Sequence, residues 1–288
     1  MAIIPNLTLN NGVTIPQLGF GVFQVPEGQT QRVVEDALGA GYRHIDTAAA
    51  YGNEAGVGAA IAASGVAREE IFITTKLRNG EHGTAAEAFE ASRRALGVDV
   101  IDLYLIHWPI PSKALFVDAW LALEKIYAAD GVRAIGVSNF LQDHLETLLA
   151  ETTVVPAVNQ IELHPTFQQT ALSAKSRALG IAVEAYSPLG QGSDLNVAAV
   201  TALAKEQAAT PAQIVLAWHL GVGNIGSPRR RTCTACAKTS PRPKSSSAAT
   251  RWTRSPPLTP APGSEPTRPG LPSPRCRPTA PAGGFTLG

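Results

Sequence analysis

The chain is 288 residues long, with 44% hydrophobic and 16% charged residues, the balance of a soluble globular protein with one large domain or two small ones. No apolar run approaches eighteen residues and Met1–Pro5 has no basic lead-in, so neither a membrane span nor a signal peptide is expected. The net charge of +1 conceals an asymmetry: beyond position 224 stand 11 Lys/Arg against Glu265 alone, together with 13 of the 22 prolines. All three cysteines (Cys233, Cys236, Cys276) lie in that last stretch, and a cysteine-free body fits a reducing cytoplasm.

The opening NLTLNNGVTIP predicts two short strands around Asn11–Gly12, a dipeptide suited to the positive φ angles of a type I′ turn. Apolar runs then alternate with amphipathic ones. The expected strands are 17–23, 44–48, 71–76, 100–107, 132–138, 157–162 and 181–187. Between them, helical periodicity covers Thr30–Ala40, Thr84–Leu96, Ala114–Ala129, Gln142–Ala150 and Gln168–Leu179. Gly41, Gly65, Gly97, Gly131 and Gly180 stand where helices stop. Nearly continuous apolar strands alternating with helices imply a parallel sheet covered on its outer side. Seven such units, with an eighth starting at Gly223–Asn224–Ile225, predict a (β/α)8 TIM barrel with an N-terminal β-hairpin. No GxGxxG follows the first strand, which counts against a Rossmann domain. The domain boundaries expected are 1–225 for the barrel and 226–288 for a tail. That tail has no 2.0 or 3.6 periodicity, so it is predicted to be disordered, with the eighth strand and last helix truncated or replaced.

Four residues fall where a barrel builds its active site, at the C-terminal ends of successive strands. Asp46 lies near the end of the second strand and Tyr51 in the loop after it; Lys76 ends the third and His107 the fourth. A free tyrosine is a poor acid at neutral pH, and an adjacent ammonium held by a carboxylate favours release of its proton.

The segments GYRHIDTAAAYGNE, IFITTKL, DLYLIHWP, IGVSNF, VNQIELHP and AYSPLGQG, in this order, resemble the successive motifs of the aldo-keto reductases, close to the bacterial 2,5-diketogluconate reductase branch, over residues 1–225. The resemblance implies NADPH as cofactor, a small aldehyde or ketone as substrate, and Tyr51 as proton donor. It implies that Lys76 lowers the tyrosine's pKa, that Asp46 anchors Lys76, and that His107 orients and polarises the carbonyl. By the same resemblance Ser138, Asn139 and Gln160 hold the carboxamide and Tyr186 stacks on the nicotinamide. Ser187, Leu189 and Gly190 wrap the pyrophosphate, while Phe23 and Trp108 wall the substrate pocket. Arg78 stands where the family pattern has an aromatic, commonly Trp. There it either favours a carboxylate-bearing ketone or points to solvent, and the second is the simpler reading.

The family's eighth strand runs into an Ile-Pro-Lys-Ser segment and an Arg that grip the 2′-phosphate. Here the chain reads Ile225-Gly226-Ser227-Pro228-Arg229-Arg230-Arg231. Back-translated and read one base earlier, Ala249–Pro269 can yield the family's usual ending, and Trp252 followed by Thr253 forces an Asp where one is wanted. A reading-frame shift is therefore the expectation for the tail, and the alternative function is an impaired barrel that binds cofactor weakly. His44 and His164 read as structural. No ligand spacing supports a metal, and Cys233–Cys236 lacks the second pair a zinc site needs. Nothing beyond bare charge points to nucleic acid, and a cytoplasmic monomer is expected.

Overall fold

The computed structural model describes residues 4–228. Apart from its first three residues, the 226–288 tail, with its CxxC pair and its expected disorder, lies outside the described residues. The chain opens on an antiparallel hairpin, β1 (Asn6–Thr8) with β2 (Thr14–Pro16). Its turn corrects the type I′ expectation. Only Gly12 has a positive φ, +84°; Gly12 N donates to Leu9 O at 3.0 Å and Leu9 N to Val13 O at 2.8 Å. This is a three-residue loop ending in a left-handed glycine, the G1-bulge form of hairpin. Asn11 serves through its side chain, which accepts from Val13 N and donates to Arg133 O.

Eight parallel strands follow: β3 (Phe20–Gly21), β4 (His44–Asp46), β5 (Phe72–Leu77), β6 (Ile101–Ile106), β7 (Val132–Ser138), β8 (Val158–Glu162), β9 (Ala182–Tyr186) and β10 (Ile225–Ser227). They are hydrogen-bonded in chain order, as successive βα units require. Six of the first seven fall inside the expected runs, β7 coinciding with its run, and β5 extends one residue beyond its run, to Leu77. Between them run α1 (Glu27–Gly39), α2 (Glu54–Ala63), α3 (Ala85–Leu96), α4 (Phe116–Ala128), α5 (Gln142–Glu151), α6 (Thr170–Ala178), α7 (Ala198–Glu206) and α8 (Pro211–Gly221). Three helices, α2, α7 and α8, lie outside the amphipathic runs read from the sequence. In α2 and α8 alanine, valine, leucine and isoleucine wrap most of the surface, so little two-faced pattern exists to read. The start of α8 is nonetheless well marked. Thr210 Oγ1 accepts from Gln213 N at 3.2 Å, and Pro211 takes the first helical position. After α4 the left-handed residue is Asp130 (φ +57°), one position before the glycine expected there.

The eighth strand is short, yet the ring closes through it. β10 pairs with β9, and on its other side Gly226 N donates to Gln17 O at 2.8 Å while Gly19 N donates to Gly226 O at 2.9 Å. Gly21 N adds a bond to Pro228 O at 3.1 Å. Both sides of β10 are thus hydrogen-bonded, and the edges that a missing last strand would expose are paired. Below, the hairpin plugs the barrel: Leu9 and Ile15 are buried with Phe72, Val158 and Ile225, which begin or adjoin the start of their strands. A larger apolar layer, including Val34, Ile73, Tyr104, Trp120, Ile135 and Leu216, fills the space between strands and helices. With one end plugged, the other end is free to carry chemistry.

Candidate active site

The C-terminal ends of β4, β5 and β6 bring Asp46, Lys76, Tyr51 and His107 together. Lys76 is completely buried on β5, and burial alone would push its ammonium down. Asp46 overrides that, and with Tyr51 and Glu184 holds it above the ordinary lysine range. The Lys76 ammonium donates to Asp46 Oδ1 at 2.5 Å and to Thr47 O at 2.9 Å, and lies 5.4 Å from the centre of the Tyr51 ring. Tyr51 ends a short 3-10 turn, Ala49–Tyr51, with Gly52 turning the chain away behind it. Its ring stands 5.0 Å from Phe23 and 5.8 Å from His107, centre to centre.

The electrostatics refine the expectation for Tyr51. Burial raises its hydroxyl above the usual tyrosine value, and Lys76 pulls the other way without reversing the shift. Lys76 therefore limits a rise that burial imposes, and the net direction is upward. Burial, and then Lys76, push His107 down to about 3, with Asp46 opposing weakly, so at neutral pH its imidazole is uncharged. A neutral imidazole can donate one N–H to a carbonyl oxygen without bringing a second cation beside Lys76.

Next around the rim, β7, β8 and β9 supply Ser138, Asn139, Gln160 and Tyr186. Asn139 is left-handed (φ +61°), and its amide donates to His107 O and to Ser138 Oγ, both at 3.0 Å. The Tyr186 hydroxyl donates to Asn139 Oδ1 at 2.9 Å, leaving its ring half-buried beside the site. Ser138 Oγ donates to Gln160 O at 2.9 Å. The side chain of Gln160 faces the other way, with its amide donating to Asp46 Oδ2. Gln160 thereby ties Ser138 and Asn139 to the Asp46–Lys76 pair. Following β9, Ser187 (φ +48°), Gly190 (φ +56°) and Gln191 (φ +53°) are all left-handed, and Leu189 is partly buried between them. A Cβ at Gly190 would stand 2.7 Å from Asp194 Oδ1, so only glycine fits there. Left-handed non-glycine residues gathered on one rim are the strain associated with ligand sites. An amide, a hydroxyl, a half-buried aromatic face and a tightly turned backbone suit an amide-bearing ring with a pyrophosphate arm.

Phe23, its ring against Tyr51, and Trp108, next to His107, are 52% and 40% exposed. Arg78 is exposed on the loop after β5, and its guanidinium has no side-chain partner among the described residues. His44 is buried with Nε2 3.0 Å from Thr74 Oγ1, and His164 Nδ1 lies 3.0 Å from Asp194 Oδ2, both internal contacts.

Two residues of the site escaped the sequence reading. Asn53 is wholly buried. It accepts from Thr47 Oγ1 and donates to Val22 O and Val25 O, fastening the Tyr51 loop to the chain after β3. Glu184, in the middle of β9, is also wholly buried. A carboxylate inside the apolar run IAVEAYS is unusual enough to have marked it.

Comparison with known proteins agrees with this geometry. The Aldo/keto reductase family profile matches residues 17–247. An aldo-keto reductase of Mycolicibacterium smegmatis is 54% identical over 227 residues, covering 78% of this chain and 82% of that protein. The crystal structure of an aldo/keto reductase from Brucella melitensis is similar with a TM-score of 0.82 at 44% identity, over 87% of this chain and 99% of its own. A mutant of Gox0644 crystallised in complex with NADPH is similar with a TM-score of 0.79 at 41% identity, over 82% of this chain and 87% of its own. The chain belongs to the aldo/keto reductase family of oxidoreductases.

Proposed function

We propose that the protein reduces small aldehydes or ketones to alcohols with NADPH, keto sugar acids among them, and acts as a cytoplasmic monomer. The observation that carries the reading is the buried Asp46–Lys76 pair set beneath Tyr51, with a neutral His107 beside it. Reduced nicotinamide, when bound, supplies the hydride. Ser138, Asn139 and Gln160 would hold its carboxamide, Tyr186 would cover its ring, and Ser187, Leu189 and Gly190 would wrap its pyrophosphate. His107 donates an N–H to the carbonyl oxygen and fixes its direction. Tyr51 delivers the proton to that oxygen as negative charge develops on it, and the phenolate left behind faces the Lys76 ammonium. Asp46 keeps the ammonium in place. Phe23 and Trp108 wall the pocket and exclude water, and Arg78 stays in solvent. The NADPH-bound relative supports the choice of cofactor.

The Ile-Pro-Lys-Ser segment and Arg that would read the 2′-phosphate are absent from the chain as written, which departs from the family pattern after Ile225. About a fifth of the smegmatis relative lies outside its match, which supports a reading-frame shift as the origin of the tail. Among the described residues, no helix is long and apolar enough to cross a membrane. The test is loss of NADPH absorbance with a generic aldehyde, beside quenching of tryptophan fluorescence on NADPH addition, with Trp108 near the site. Turnover supports the reductase; quenching without turnover supports the impaired barrel. Neither would sink both readings. Resequencing the DNA from the codon for Gly221 to the stop decides the tail.

A further inference from the structure

Beneath the four residues at the mouth lies a second acid that the proposed reaction does not use. Glu184 has no exposed surface. Its Oε1 accepts from Ser227 Oγ at 2.7 Å, while Oε2 makes no full hydrogen bond among the described residues. Its register partner on β8 is Gln160, whose amide is bonded to Asp46, and on β10 it is Ile225. The charged and titratable groups that bear on Glu184 are Asp46 of β4, Lys76 of β5 and the Tyr51 hydroxyl. His44 lines the same space, since a Cβ at Gly19 would stand 2.6 Å from His44 Nδ1 and 2.8 Å from Ser227 Oγ. Burial, the largest effect, holds His44 down at about 4, so it brings no charge near neutrality. Among the described residues, the charged groups bearing on this space are therefore two acids, Asp46 and Glu184, and one cation, Lys76.

We propose that Glu184 is a positioning residue for the reduction, a buried carboxyl that sets the net charge beneath Tyr51 according to whether it holds its proton. Neutral, Glu184 leaves the Lys76 ammonium balanced by Asp46 alone, and the departing proton of Tyr51 leaves a phenolate facing an ammonium. Ionised, it adds a second carboxylate to the same low-dielectric space. It then competes for Lys76 and opposes the charge that proton transfer creates on Tyr51. Burial first, and then Asp46, hold the Glu184 carboxyl up at about 7, which places the change in the physiological range. No new bond to substrate is involved, and Glu184 acts only through Lys76 and Tyr51.

The inference rests on the reductase reading, and the experiment separates the two. Turnover of a generic aldehyde with NADPH is followed against pH for the full chain, Glu184→Gln and Ser227→Ala. The wild-type rate falls by roughly three- to thirtyfold as pH rises through neutrality, the effect of one buried charge at several ångströms. In Glu184→Gln that inflection disappears. In Ser227→Ala it moves upward, by about one pH unit, because the lost O–H bond had favoured the ionised carboxyl. A Glu184→Gln profile with the wild-type inflection, or a Ser227→Ala profile in which it has not moved, overturns the proposal. Infrared spectroscopy of the same proteins without cofactor supplies a readout independent of turnover. A neutral-carboxyl band is expected that fades near neutrality in the wild type and is missing from Glu184→Gln. The band without any turnover sinks the reductase reading alone, and turnover without the band sinks the role of Glu184. Should Glu184→Gln fail to fold, Ser227→Ala and the wild-type spectrum still decide.

Discussion

Near the N-terminal end of the barrel, Asp102 is buried on β6 and held by three donors. It accepts from Arg68 at 2.6 Å, Arg133 at 2.8 Å and the Ile73 amide at 2.9 Å. At the C-terminal end, among the described residues, two buried acids share the cation Lys76, and Glu184 Oε2, His44 Nδ1 and His107 Nδ1 make no full hydrogen bond. The same chemical group is locked at one end and left responsive at the other. Fully paired charge gives a rigid floor, whereas incompletely satisfied charge in a low dielectric gives groups whose proton affinities answer to their neighbours. Barrels divide labour in this way, with stability below and chemistry above.

That division can be tested from both ends. The largest effect is expected for Tyr51→Phe, which keeps the ring against Phe23 and His107 but removes the proton donor. Its kcat should fall by roughly 10²- to 10⁴-fold while NADPH still quenches tryptophan fluorescence; near-normal turnover would remove Tyr51 from the mechanism. Lys76→Met strands Asp46 without its buried partner, and should cost about 3–5 kcal/mol in urea unfolding as well as turnover. Retained stability would show that the pair is solvated and not buried.

Asp102→Ala is the counterpart at the lower end. It should cost about 2–3 kcal/mol by the same measurement, since its partners Arg68 and Arg133 remain partly exposed and can return to water. Its kcat at permissive temperature should match the wild type, and a comparable loss of kcat would mean that the two ends are not independent. The smallest change is expected for Tyr186→Phe, which removes only the hydroxyl on Asn139. A loss of about 1 kcal/mol, read as a several-fold rise in KM for NADPH with kcat nearly unchanged, fits that single bond.

Acidity separates the groups by sign. Burial is the leading cause that lowers His44 and His219 to about 4 and His107 to about 3, so the fold favours their neutral forms. Their contribution to stability is complete above the ordinary histidine value and is lost as pH falls through the lowered ones. Glu184 runs the opposite way: raised to about 7, it contributes fully below the ordinary carboxyl value and loses that contribution as pH rises toward neutrality. With His82 also lowered and Glu54 also raised by burial, four histidines outweigh two glutamates, so the urea midpoint should climb from about pH 4 to about 6.5, and climb more steeply in Glu184→Gln. A slope unchanged by that substitution would mean Glu184 does not titrate in this range.

Much of this was legible in the residues themselves. Each expected strand appeared at its run, β5 alone reaching one residue past its end, because an apolar stretch ended by turn residues has few places to go inside a parallel sheet. Asp46, Tyr51, Lys76 and His107 were readable because strand ends in a barrel converge whatever their separation along the chain. What stayed hidden depended on partners far apart in sequence. The closing of the ring by a three-residue β10 rests on Gln17 and Gly19, some two hundred positions away.

The sequence by itself determined the alternation that makes a barrel, the motifs that mark its rim and the break in composition after the eighth strand. These are local patterns, and periodicity and residue type suffice for them. Only the tertiary structure decided that the hairpin turn takes a G1 bulge and that Gln160 binds Asp46. It alone showed that burial outweighs Lys76 at Tyr51, and that Glu184 lies inside the barrel with only one oxygen fully hydrogen-bonded. Each of these depends on how far a group is removed from water and on what stands beside it, which the order of residues along the chain does not fix.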